Sequence, residues 1–240
     1  MDMQTNIRNF VPLFQIRIIA TGLKIFGRAQ ISEQLELCDK ARSISDMVVG
    51  YDLVCEEDYN EGIGSYLDLL MEYKDKFQKK WGEEFQFYFH AGESTSRSNT
   101  ELYDAILMGT KRIGHGFGLM MHPKLIELVR KNNICIECCP VSNSLLGYCH
   151  DLRTHPVRSL LSHGIAVSIN PDDPGFFDTP GVTIDYVVAY LSWGLDLMDL
   201  KKLALNSLEH STARETDRAK VLQYFDHTWN KFLRYVRGRY

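Results

Sequence analysis

The chain has 240 residues, 45% hydrophobic and 24% charged, enough to bury a core without a staple of disulfides or metal. Its formal charge of −4 comes from interspersed acids and bases. That excludes the concentrated basic patch that nucleic acid or an anionic membrane demands of a partner.

The opening Met1–Asn6 has no basic stretch followed by an apolar stretch and a small-residue cleavage site, so it does not read as a signal peptide. Phe14–Ala20 alternates as a strand would, and Ile31, Leu35, Cys38 and Ala41 then recur at helical spacing with Ser32 as the expected cap. Met47–Val54 is the second strand, and Leu67, Leu70, Met71 and Phe77 mark the helix after it. Phe85–His90 is a third strand, followed by a helix around Leu102, Ala105 and Ile106. Lys111–His115 is a short fourth strand, with Pro123 at the start of the next helix. Ile134–Cys138 is the fifth strand, the helix near Leu160 and Leu161 stops at Gly164, and Ile165–Ile169 is the sixth. Helices fill most of the remainder, from about residue 183 to residue 240.

No run of about eighteen apolar residues suggests a membrane span, and no Asn-x-Ser/Thr acceptor occurs. The six cysteines include Cys135-x-x-Cys138, a spacing that suits a metal clip or a redox pair. No second Cys/His pair completes a finger, so the cysteines read as small core hydrophobes.

Six strands, each followed by helix, argue for a parallel sheet covered by helices. An eight-stranded barrel and an open doubly wound sheet both fit that order. The reactive residues favour the barrel. His90-Ala91-Gly92-Glu93, Gly114-His115-Gly116 and Asn170-Pro171-Asp172-Asp173-Pro174 each follow an apolar strand, and the C-terminal strand ends of a barrel converge on one face. A single strand-end histidine is more often structural, Asp-Asp-Pro is often a turn, and a glycine beside histidine often serves a bend. Three such segments together point to a shared site. Imidazole and carboxylate suit zinc, which takes three protein ligands plus water in catalytic sites and activates that water near neutrality. A further His or Asp can orient the water, and a Glu can deliver a proton. The remaining histidines, His122, His150, His155, His163, His210 and His227, read as solvent-facing or structural.

These segments resemble those of the adenosine and AMP deaminase superfamily of metal-dependent barrel hydrolases. The likeness rests on Phe89–Glu93, Arg112–Gly116 and Ser168–Pro174, and extends through Val48–Leu53, Glu137–Asn143 and Leu205–Ser207. It looks closest to the adenosine deaminase-related growth factor branch. The resemblance implies a (β/α)8 barrel whose third to eighth strands are present, residues 1–240 forming a partial catalytic domain. It implies Zn2+ as cofactor, with His90 and Asp172 as metal ligands. Glu93 would protonate the purine ring, His115 would orient or deprotonate the attacking water, Asp172 would also hold that water, and Asp173 and Gly92 would join Glu93 in binding substrate. The reaction implied is hydrolysis of adenosine or 2′-deoxyadenosine to the inosine and ammonia.

Two departures stand out. The superfamily carries a His-x-His pair on its first strand, and none occurs here, so the chain is expected to be an N-terminally truncated and inactive piece. Cys55 stands where the superfamily has glycine near the purine. The branch implies an extracellular homodimer, although neither a secretion signal nor the dimerisation region is visible. The alternatives are a deaminase of AMP or another adenine nucleoside, and a non-catalytic, growth-factor-like binding protein on the same scaffold.

Overall fold

The computed structural model describes residues 13–239; the opening Met1–Asn6 lies outside the described residues. Seven parallel strand segments are arranged in two ladders. The first runs β1 (Ile18–Leu23), β2 (Val48–Val54), β3 (Gln86–Phe87). The second runs β4 (His90–Ala91), β5 (Arg112–His115), β6 (Cys135–Cys138), β7 (Val167–Ile169). β3 and β4 are two parts of the expected third strand, so the chain supplies six strand positions of a (β/α)8 barrel. Helices α1 (Gly27–Ile44), α2 (Leu67–Trp81), α3 (Glu101–Leu107), α4 (Pro123–Lys131), α5 (Pro140–Leu145) and α6 (Val157–Ser162) alternate with the strands. Three more close the chain: α7 (Thr183–Trp193), α8 (Leu197–Glu209) and α9 (Glu215–Arg237). No helix among the described residues is long and apolar enough to cross a membrane.

Strand periodicity decides which side chains meet the helices and which enter the barrel. Phe85, Phe87 and Phe89 are buried, with Phe85 4.7 Å from Phe77 and 4.9 Å from Tyr73, ring centre to ring centre, on α2. Each such ring contributes roughly 1.5–3 kcal/mol by leaving water. The alternate residues are polar or polar-tipped. Arg112 lies over the Tyr88 ring at 4.3 Å and donates from Nε to Glu137 Oε1 at 2.5 Å, continuing the inward row.

Two expectations need correction. The first strand is Ile18–Leu23, not Phe14–Ala20, because it is placed by pairing with β2, where Ala20 to Leu23 match Tyr51 to Val54. Ser32 is not a cap but lies inside α1, which starts at Gly27 directly after the tight turn Lys24–Phe26. Pro123 does open α4, and Gly164, with φ 73°, follows the end of α6 as expected. All six cysteines are free, and every one except Cys55 is buried.

Candidate functional site

The ends of β4, β5 and β7 bring together residues separated by up to 82 positions in the chain. His90 and Ala91 pair with Gly114 and His115. A side chain at 114 would crowd the His90 ring, since a Cβ there would stand 3.1 Å from it; glycine lets the imidazole lie against the neighbouring strand. The His90 and His115 rings are 5.1 Å apart between centres. His115 Nε2 lies 3.8 Å from Asp172 Oδ2, and His115 Nδ1 lies 3.4 Å from Glu93 Oε1. Among the described residues, His90, His115 and Asp172 place potential metal-binding atoms within 4.8 Å of one another. A divalent metal fits between His90 and Asp172: an imidazole and a carboxylate converge with His115 alongside, and the buried Glu93 Oε1 beside them has no hydrogen-bond partner.

The backbone is strained at the same rim. His115 has φ 62° and Asp172 φ 57°, left-handed conformations that favour glycine and cluster at functional sites. Gly92 has φ 72°, and a Cβ there would stand 2.8 Å from Leu102; both facts exclude a larger residue at this bend.

Electrostatics divide the ionisable groups. Burial lowers the His90 pKa, but the Asp52 carboxylate overrides it, and the pKa rises to about 10. Burial lifts Glu93 to about 7; His90 opposes this, while Asp172 and Glu57 reinforce it. Burial, aided by His90, holds His115 well below the usual imidazole range. Near neutrality the pocket thus holds a neutral imidazole beside a carboxyl that retains a proton in a large fraction of molecules.

Asp173 follows Asp172 in the loop, where its carbonyl accepts from the backbone N–H groups of Phe176 and Phe177 at 3.0 Å. Its carboxylate makes no hydrogen bond to the cluster among the described residues. Gly92 contributes backbone: its N–H donates to Glu57 Oε2 at 2.9 Å.

Four supporting residues escaped the sequence reading. Asp52, buried inside β2 with Leu53 and Val54 after it, accepts from the His90 backbone N–H at 2.8 Å and lies 2.6 Å from His90 Nδ1. An acid inside an otherwise uncharged strand was the signal available. Glu57 is buried and accepts from Gly92 N–H, from Glu93 N–H at 3.0 Å and from Asn99 Nδ2 at 2.9 Å, fixing the bend that carries Glu93. Nothing local distinguishes it from the adjacent Glu56 and Asp58. Asn143 and His155 line the far side of His115 and are themselves buried.

The chain is similar to known proteins in sequence and in fold. A family model described as adenosine deaminase matches residues 3–228. The chain is 43% identical over 193 residues to adenosine deaminase 2 of Dictyostelium discoideum, covering 80% of this chain and 35% of that protein. It is 33% identical over 225 residues to human adenosine deaminase 2, covering 91% and 43%. The chain therefore spans less than half the length of these relatives. Among solved structures, adenine deaminase from Arthrobacter aurescens aligns with TM-score 0.75 and 22% identity, covering 90% of this chain and 62% of that one. A zinc-bound cog1816 amidohydrolase from Burkholderia ambifaria aligns with TM-score 0.77 and 17% identity, covering 98% and 62%. At those identities the structural likeness speaks to the fold.

Proposed function

The chain belongs to the adenosine deaminase family, and from that premise we propose that the protein hydrolyses adenosine or 2′-deoxyadenosine at C6 to the corresponding inosine and ammonia. The observation that carries this reading is the convergence of His90, His115 and Asp172 within 4.8 Å, with Glu93 alongside. His90 and Asp172 would hold Zn2+, which, when bound, would supply an activated water. Glu93 gives its proton to the purine ring nitrogen, a task suited to a carboxyl lifted to about 7. His115 orients the attacking water, Gly92 lines the substrate's approach, and Asp173 bonds the base.

No His-x-His pair occurs in the 240 residues, and so the chain by itself is not expected to turn over substrate; a longer form supplying two further imidazoles is. Likeness to the adenosine deaminase 2 relatives extends the proposal to an extracellular, homodimeric protein whose catalytic domain includes residues 1–240. The test is inosine formation by the zinc-supplemented 240-residue chain and by such a longer form, with adenosine and AMP side by side. Turnover by the longer form, lost by at least about 100-fold in Glu93→Gln, supports the proposal. No turnover with any adenine nucleoside, or biological activity that survives Glu93→Gln unchanged, favours a binding protein instead.

A further inference from the structure

His115 is backed by a buried relay. Asn143 Nδ2 lies 3.2 Å from His115 Nδ1, and Asn143 Oδ1 lies 3.1 Å from His155 Nε2. His155 Nδ1 in turn accepts from the Val157 backbone N–H at 3.2 Å. All three side chains are buried, at 3% exposure or less. The relay has a fixed direction because a backbone N–H can only donate. His155 Nδ1 must present its lone pair, which puts the proton of this neutral ring on Nε2. That proton goes to Asn143 Oδ1, so the Asn143 amide turns its Nδ2 donor toward His115 Nδ1. With the Nδ1 lone pair occupied, the proton of neutral His115 lies on Nε2.

We infer that Asn143 and His155 are positioning residues that lock the tautomer of His115, so that its Nε2 faces the pocket as a hydrogen-bond donor and not as a metal ligand. The meaning of this for catalysis rests on the deaminase reading above; the tautomer itself follows from the relay alone. The assignment also accounts for Glu93. Its Oε1 is 3.4 Å from His115 Nδ1 yet has no hydrogen-bond partner, as expected if Nδ1 carries no proton to offer. His90 is locked the other way. Its Nδ1 faces the Asp52 carboxylate at 2.6 Å, which holds the proton there, so Nε2 is the nitrogen that a metal would take by displacing its proton. Two rings 5.1 Å apart are thus held with a fixed proton on opposite nitrogens, Nδ1 in His90 and Nε2 in His115, and they divide the roles of ligand and donor between them.

The tautomers can be read directly from ring-nitrogen NMR shifts of the full chain labelled with 15N at histidine, near neutral pH. His115 and His155 are expected to show a protonated Nε2 and an unprotonated Nδ1. Added Zn2+ should shift His90 Nε2 and leave the His115 Nε2 proton in place. Asn143→Asp replaces the donor with an acceptor and should move the His115 proton to Nδ1. His155→Phe frees the Asn143 amide to rotate and should give a mixture of tautomers. Melting curves establish which variants fold; if neither does, the wild-type spectrum decides. A wild-type His115 protonated at Nδ1, an unprotonated Nε2 that shifts with zinc, or a folded Asn143→Asp with an unchanged tautomer would each overturn the inference. If zinc moves no ring nitrogen in a longer form that supplies the two further imidazoles, the metal reading fails while the tautomer is still measured.

Discussion

Three residues at the rim hold positive φ without being glycine: Cys55 at 113°, His115 at 62° and Asp172 at 57°. His115 and Asp172 place side chains in the cluster, and their strain goes with a functional position. Cys55 contributes no atom to the cluster, and its backbone is one that glycine adopts freely. That explains physically why a glycine is expected there by resemblance. Cys55→Gly should therefore raise stability to urea by about 1 kcal/mol; a loss of that size would show that the thiol makes a compensating contact. His155 offers a different kind of test. Burial pushes its pKa down to about 4, against about 6.5 when unfolded. Below 6.5 the unfolded chain takes up a proton that the native protein refuses until about 4, so stability present above that window is lost as the pH falls through it. In His155→Gln, the slope of unfolding free energy between pH 6 and 5 should fall by about 1.4 kcal/mol per pH unit, one proton's worth. An unchanged slope would mean that the native imidazole titrates normally.

At the scale of elements, the turn after β1 is tied to the start of α3 by a buried ion pair. Lys24 Nζ lies 2.6 Å from Glu101 Oε1, and Glu101 Oε2 accepts from the Ile63 backbone N–H at 3.1 Å. Three successive strand-helix units are fastened at one point. Lys24→Met leaves the carboxylate buried without its cation and should cost about 3–5 kcal/mol in urea unfolding. Adding Glu101→Gln, which keeps an acceptor for Ile63, should recover much of the loss; a double variant as unstable as the single one would refute this account. Neither residue, 77 positions apart in the chain, announces the other in sequence. Strands and helices were legible because apolar periodicity records which face is buried. The long-range partners of Asp52, Glu57 and Lys24 were not, because polar pairing across the fold leaves no local pattern. Ser32 misled for a related reason: a cap is defined by where the chain turns, and a serine inside a helix looks the same in sequence.

For the whole molecule, the parallel arrangement and the convergence of His90, Glu93, His115 and Asp172 followed from strand order together with the placement of reactive residues after strands. The open side of the barrel carries its own consequence. Among the described residues, β1 pairs only with β2 and β7 only with β6. Ile18 is 45% exposed on β1, and Ile25 and Phe26 are more than 60% exposed just beyond it. Unpaired strand edges with apolar side chains recruit other chains. The 240-residue chain should self-associate as concentration rises, and Ile18→Lys should reduce the light scattering. Equal scattering by the two would place the association surface elsewhere.

The division of the third strand bears on how the cluster is held in place. Where the backbone pairing passes from β2–β3 to β4–β5, Asp52 accepts the His90 N–H with its side chain, and Glu57 does the same for Gly92 and Glu93. The molecule therefore has a seam between its two ladders, riveted by two carboxylates. His90, His115 and Asp172 ride on one plate, while the rivets are anchored in the other. The tilt of His90 and the height of Glu93 are therefore set from across that seam, by acids carried on the neighbouring ladder and the loop that follows it.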